Sequence, residues 1–492
     1  MKNFFHKVKI QNLRYPPGEI QFEPILEKQL ACLIAGVIRA VRGATDRYIA
    51  KHGRALYSFI KIHLLSWMTM NSTGNWQIEH NCPQCGAPVT LDEADRLLLC
   101  TYCRTKLYLS TEGHFTYFIP PPNPAPRETI YVPYWRMKGL SYSMQESGLS
   151  QRFVDSNTLA LKSWGIPPSL GLRPQVLKLK FVSPEIEGRF IDPELPVQDV
   201  LKNAALSIPQ VFEKQFGIAE PPASSIFHNV FVGETTSLIY SPMYLENNNL
   251  CDALLKRPVC TIKTEAMESM LASSKPQSWH IAFISTLCPQ CGWDLQGEKK
   301  ALILICKNCS TAWGCEGKEF KKVDFAVMEG AGEISQYLPF WKMKARIEGI
   351  KLDTYADLIR IGNLPKAITP AFEQTPLYFW SPAFKINPAM FLRWARQMTI
   401  SQPGEKTGDS LPDVPLYPIT FPLSEVAGSI TITIADIVTD KRKVFPLLPQ
   451  IRISLNECLL VYHPFIESHN ELVHANMHFS FDKKSLAFGT GL

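Results

Sequence analysis

The chain has 492 residues, of which 46% are hydrophobic and 20% charged, with a net charge of +6. That length exceeds one ordinary core, so two or three domains are expected, and the balance is that of a folded, soluble chain. The charge is confined to residues 1–79, with 11 Lys/Arg against 5 Asp/Glu; the rest carries 40 of each sign, so the pI near 8.6 gives no ground for a general polyanion-binding surface.

Residues 1–75 read as a basic, partly helical segment. Its best stretch, "RALYSFIKIHLLSWMTM" from Arg54, is apolar on a broad helical face interrupted by Lys61 and His63. Such a helix would lie on a membrane surface or a partner, or simply form a short cap, and any membrane contact is expected here alone. A further reading starts translation at Met68 or Met70, because "MTMNSTGNWQIEHNCPQCG" leads directly into the first of two similar cysteine-bearing blocks. The best apolar run, Leu30 to Ile38, ends at Arg39 after nine residues, short of a membrane span. The start, "MKNFFHKVKIQNLRYPP", is basic but has no apolar core or cleavage site, so a reducing, cytoplasmic location is expected.

Eight of the 13 cysteines fall into two sets with identical spacing. Cys82-x2-Cys85-x14-Cys100-x2-Cys103 is followed by Cys288-x2-Cys291-x14-Cys306-x2-Cys309. A Cys-x-x-Cys turn directs two thiolates at one point, and two such turns at the tips of adjacent hairpins complete a tetrahedron around a metal ion. Gly86 and Gly292 follow the first pair of each set, where a tight knuckle needs positive φ. "RLLLC" and "LILIC" read as strands leading into the second knuckles.

These blocks resemble zinc ribbons, the rubredoxin-like knuckle modules. The resemblance covers about 40 residues twice and implies structural zinc, two ions per chain. It does not define a task, since ribbons serve DNA, RNA and protein partners alike. Disulfides do not suit a chain without an export signal, and a redox pair needs one Cys-x-x-Cys rather than two at fixed separation. Iron is the alternative metal, because four thiolates hold either. Four thiolates close the coordination sphere, which disfavours catalysis at the metal. His80 and Cys315 lie near the sets but are surplus to four ligands, and Cys32, Cys251, Cys260 and Cys458 read as buried small hydrophobes.

Similarity extends beyond the cysteines. Cys82 to Lys138 aligns with Cys288 to Lys344 without a gap, ending in "YVPYWRMK" against "YLPFWKMK". Further anchors pair "FVSP" from Phe181 with "FWSP" from Phe379, and Leu238 with Leu460. The expected fold is β-rich α+β: an internal duplication of a four-cysteine zinc ribbon followed by a mainly antiparallel β domain. The boundaries read as ribbon 1 at 76–119, β-rich domain 1 at 120–262, a linker at 263–278, ribbon 2 at 279–325 and β-rich domain 2 at 326–492. "PPPNPAP" at 120–126 is a rigid spacer. The 38 prolines favour turns and edge strands over long helices.

Within the second copy, Trp341, Met343, Ala345 and Ile347 alternate with Lys342, Lys344, Arg346 and Glu348, a half-buried strand. Arg136/Lys138 and Lys342/Lys344/Arg346 then form solvated basic strand faces. The Tyr-x-Pro-(Phe/Tyr)-Trp aromatics are read as core. "SITITIADIV" from Ser429 reads as a strand, and "CLLVYHPF" and "ELVHANMHFSF" flank "IESHN" as a hairpin. A helix begins after an Asn387 N-cap with Pro388 in its first turn; "AMESML" and "DVLKNAAL" are weaker helix candidates.

No nucleophile elbow, Walker loop, zincin motif or dinucleotide fingerprint is present, so no catalytic residue is assigned and the reading leans away from an enzyme. A non-enzymatic protein-interaction or assembly module is expected, with nucleic-acid binding through the ribbons as the alternative. Residues 82–118 hold three Lys/Arg against four Asp/Glu, and 288–325 hold six against five, so neither ribbon has the positive surplus that phosphate binding requires.

Overall fold

A computed structural model of the chain describes residues 76–490 apart from 124–127, 163–164, 172–177, 198, 201–225, 262–280, 405, 409 and 478. The amphipathic stretch from Arg54, the linker at 263–278, "AMESML" and most of "DVLKNAAL" lie outside the described residues. Those described belong to one unit, Gly74–Leu492, and they are rich in strand, with helices confined to the second half after Glu348 apart from short turns.

The first half begins with a hairpin, β1 (Gln77–Asn81) and β2 (Pro88–Asp92), across the first knuckle, then β3 (Leu97–Leu99) and β4 (Lys106–Thr111) across the second. β5 (Phe115–Phe118), β6 (Ile130–Gln145), β7 (Gly148–Leu159), β8 (Leu179–Phe181), β9 (Arg189–Phe190) and β10 (Ile226–Glu246) come next, with a closing hairpin of β11 (Asn249–Asp252) and β12 (Arg257–Thr261). β6 is the centre of this sheet. It pairs antiparallel with β7 and β10, while β5 lies parallel to β10.

The second half opens on β13 (Ile281–Ser285), then β14 (Ile303–Cys306), β15 (Thr311–Glu316), β16 (Glu319–Val323), β17 (Phe325–Met328), β18 (Gln336–Glu348) and β19 (Phe379–Pro382). β20 (Thr407–Gly408), β21 (Arg452–Ser468), β22 (Glu471–His474) and β23 (Ser480–Asp482) complete it. β18 pairs antiparallel with β19 and β21, and β17 lies parallel to β21. The expected alternation in β18 holds at its C-terminal end: Met343, Ala345 and Ile347 are buried, while Arg346 and Glu348 are exposed. The expected hairpin around "IESHN" is β21–β22, closing at Ser468–Glu471.

The two halves share a set of pairings. Trp135 faces Leu238 across β6–β10, and Trp341 faces Leu460 across β18–β21. Each indole Nε1–H donates to a returning backbone carbonyl, Leu195 O at 2.7 Å and Phe421 O at 3.2 Å. The amides of Ala160 and Ala383 bond Pro133 O and Pro339 O, both at 3.0 Å, and those of Ile191 and Tyr417 bond Tyr131 O and Tyr337 O at 3.1 and 2.8 Å. The anchor between Phe181 and Phe379 is corrected. Phe181 sits in β8 against β5, whereas Phe379 sits in β19 against β18, so a shared Phe-x-Ser-Pro string marks different places.

Two further readings are overturned. "SITITIADIV" lies in an α-helix, α3 (Val426–Ile437), that comes after α1 (Tyr355–Gly362) and α2 (Pro388–Ser401). Its alternating Ile and Thr mimic a strand, but the helix is buried on several sides, and Thr433 and Ser429 hydroxyls return to backbone carbonyls of the preceding turn at 2.7 Å. α2 does start as expected, with Asn387 Oδ1 accepting from Ala389 N at 3.0 Å. The basic face at Arg136 and Lys138 is not solvated, for these side chains are 0% and 1% exposed. Glu93 satisfies Arg136 in two-pronged fashion at 2.9 and 3.1 Å and lies 3.5 Å from Lys138; Asp155 also bonds Arg136, and Trp76 covers its guanidinium at 4.0 Å. Of the unpaired cysteines, Cys251 is buried as expected, but Cys260 and Cys458 are only half-buried, and Cys32 lies outside the described residues.

The largest core cluster crosses between the halves, since Leu140, Tyr142, Met144 and Val232 pack with the aromatics and aliphatics of β18, β21 and α1–α3, while the first half also has a core of its own around Tyr117, Tyr134 and Ile239. Tyr142 donates its hydroxyl to Pro388 O at 2.8 Å, and Lys385 Nζ donates to Thr235 Oγ1 at 2.8 Å. No helix among the described residues is long and apolar enough to cross a membrane.

Candidate metal centres

The structure brings each cysteine set together. The four Sγ atoms of Cys82, Cys85, Cys100 and Cys103 lie within 4.8 Å of one another, and so do those of Cys288, Cys291, Cys306 and Cys309. In the first, Cys82–Cys103 and Cys85–Cys100 are 3.7 and 3.6 Å apart; in the second, Cys288–Cys309 and Cys291–Cys306 are 3.6 and 3.4 Å. A tetrahedron with Zn–S bonds of about 2.3 Å has edges of about 3.8 Å, so the thiols already have the spacing of a metal-bound quartet.

The knuckles owe their shape to backbone bonds. Gly86 N donates to Cys82 O and Gly292 N to Cys288 O, both at 2.8 Å, which folds the chain back so that Cys82 N reaches Ala87 O and Cys288 N reaches Trp293 O. Gly86 and Gly292 have φ of +74° and +73° with open space where a Cβ would point, so left-handed backbone rather than crowding selects glycine. In the second knuckles Arg104 and Ser310 take the positive φ, at 61° and 49°.

Two groups escape a search for ligands alone. Thr105 Oγ1 lies 3.2 Å from Cys103 Sγ and Thr311 Oγ1 lies 3.1 Å from Cys309 Sγ. Both stand two residues after the last cysteine of their set, so Cys-x-Thr is the signal in the sequence. Such hydroxyls stabilise a thiolate and orient it. His80 is not a ligand: its ring stacks on Phe283 at 5.0 Å and meets the edge of Phe181. Cys315 Sγ turns to Gly317 O at 3.7 Å.

Four thiols this close cannot all ionise without a cation among them. Hydrogen bonding to Thr105 draws Cys103 down to about 6, while Cys85, despite its backbone bond at Ala87, is raised to about 12 by burial and the neighbouring thiols. In the second quartet the Asn308 side chain draws Cys291 down to about 6, and burial pushes Cys306 up to about 12. A divalent ion would hold all four as thiolates and leave no position for water or substrate, which gives each quartet a structural rather than a catalytic character.

The two quartets are neighbours in the fold. β13, which delivers Cys288, pairs antiparallel with β4, which leaves Cys103, with Ser285 opposite Leu107. β3 completes that three-stranded sheet. Lys106 Nζ donates to Leu295 O at 2.9 Å, Thr286 Oγ1 to Lys106 O at 3.2 Å, and the amides of Arg96 and Leu97 both reach Lys299 O. Each quartet has the form of a zinc-ribbon-like knuckle pair and could hold a metal ion. No family model matches the chain, and no curated protein or solved structure matches it either.

Proposed function

We propose that the chain is a non-enzymatic zinc-binding protein, built from two ribbon-plus-β units related by duplication, that serves as a protein-interaction or assembly module in a reducing, cytoplasmic compartment. The observation that carries this reading is the pair of closed four-cysteine quartets joined through one three-stranded sheet. Zinc suits four thiolates at these spacings, and its role in such a closed site is to fix the fold. The paired tryptophan and alanine hydrogen bonds of the two halves support the duplication beyond the cysteines. Burial of Arg136 and Lys138 takes two cations from the surface and weighs against the nucleic-acid alternative.

Affinity purification of the tagged full chain at native expression tests the reading. A protein partner in fixed stoichiometry, lost on chelation, is the expected result. Nuclease-sensitive nucleic acid as the sole co-purifying species would overturn it.

A further inference from the structure

The two quartets share their cysteine spacing to the residue but not their surroundings. Thr105 and Thr311 are counterparts. Thr311 Oγ1 reaches two sulfurs, Cys309 at 3.1 Å and Cys288 at 3.8 Å, and it accepts from Trp313 Nε1 at 2.8 Å. The indole N–H takes a lone pair of that hydroxyl and leaves its proton for sulfur. Thr105 Oγ1 bonds Cys103 at 3.2 Å, and the residue matching Trp313 is Leu107, which has no donor. A second difference lies at Asn308, whose side chain hydrogen-bonds Cys291. Its counterpart is Tyr102, 69% exposed to solvent. Packing divides the sites in the same sense. Trp313 shares an apolar cluster with Cys288, Cys306 and Cys309, which leaves Cys291 as the exposed member of its set. In the first set Cys82 and Cys100 pack into the core, while both Cys85 and Cys103 are exposed.

We propose that the two metal sites are unequal: the first quartet is an exchangeable site that gives up and regains its ion as metal supply changes, while Asn308 and the Trp313–Thr311 pair make the second hold its ion more tightly. The inference rests on the metal-binding reading and divides its two sites. Hydrogen bonds to a ligating sulfur orient it and stabilise its thiolate, and losing such a partner typically costs about 10–100-fold in metal affinity. The second quartet has two such side-chain supports that Tyr102 and Leu107 do not reproduce in the first. Exposure acts in the same direction, because a competing ligand must approach a sulfur to draw the ion away, and the first set offers it two. Release from the first quartet also reaches the second, since β4 and β13 share a ladder that runs between the two sites. The first quartet is therefore the point at which metal loss begins.

The test uses the full, zinc-loaded chain. EDTA is added together with iodoacetamide, samples are taken over time, and peptide mass spectrometry reads the alkylation of each cysteine set. Cys82, Cys85, Cys100 and Cys103 are expected to label at least about tenfold faster than Cys288, Cys291, Cys306 and Cys309, in line with the effect of supporting hydrogen bonds. The second set follows later, so the order and the ratio of the rates are what is read. Asn308→Tyr installs the first half's residue at an exposed position, so the variant should keep its metal content and thermal midpoint, and both are measured alongside. It is expected to lower the ratio at least about threefold by speeding the second set. Equal rates in the unaltered chain, earlier labelling of the second set, or a ratio unchanged in Asn308→Tyr would overturn the proposal and leave the metal-binding reading intact. A purified chain that carries no metal before EDTA is added would overturn both.

Discussion

Glu93 and Arg136 show how far a residue's meaning depends on what covers it. In sequence, Arg136 and Lys138 alternate with apolar neighbours as a solvated strand face would, and Arg346 on β18 does behave that way. In the first half the loop at 93–96 folds over β6 and supplies the carboxylate, a contact at a separation of 43 residues that no local pattern encodes. Removing one partner of a buried ion pair leaves an uncompensated charge, so Glu93→Gln is expected to destabilise the fold by about 3–5 kcal/mol, against under about 0.5 kcal/mol for Arg346→Ala. Urea denaturation of both variants checks the contrast; equal, small losses would contradict it. A second buried pair gives a pH dependence. His474 Nδ1 accepts from the amides of Asn476 and Met477 at 3.1 Å, so its Nε2–H donates to His463 Nδ1 at 3.0 Å. Burial holds His463 well below its ordinary value, with further lowering from His474 and Lys342, and brings His474 down to about 4. Unfolded, both titrate near ~6.5. Between that pH and 4 the unfolded chain binds more protons, so stability is full above pH ~6.5 and falls as the pH drops through the window, by up to about 1.4 kcal/mol per pH unit for each histidine. Denaturation midpoints unchanged from pH 7 to 5 would contradict this, and His463→Phe should flatten the slope.

At the scale of elements, the features legible in sequence are those whose cause is local. The Asn387 cap and Pro388 fix the start of α2, and alternation places β18. The capping box that opens α1, with Thr354 and Asp357 bonding each other's backbone amides, is just as local a signal, carried by "TYAD". α3 defies the sequence pattern for a tertiary reason: a helix buried on several sides shows no polar face, and its Ile-Thr alternation then imitates a strand. The cysteine spacing marks both quartets, yet nothing in it shows that β13 crosses to the sheet of the first. That crossing changes the expected outcome of removing one ligand. Cys100→Ser should collapse the first ribbon, because metal binding supplies much of a ribbon's folding free energy. β13 then loses its only described ladder neighbour, and with it the anchor of Cys288. The variant is expected to hold less than one metal ion per chain after mild chelation. Retention of one full equivalent would show that the second quartet stands alone.

For the molecule as a whole, the two halves behave as one body of core, sheet and paired metal sites. The central claim is that both four-cysteine quartets bind zinc and that this zinc shapes the fold. Elemental analysis of the purified full chain, read together with free-thiol counting in the native state, tests it most directly. The account predicts two zinc ions per chain, no iron, and the eight quartet thiols shielded from modification until a chelator is added. One zinc or fewer, or iron in a red protein, would contradict it.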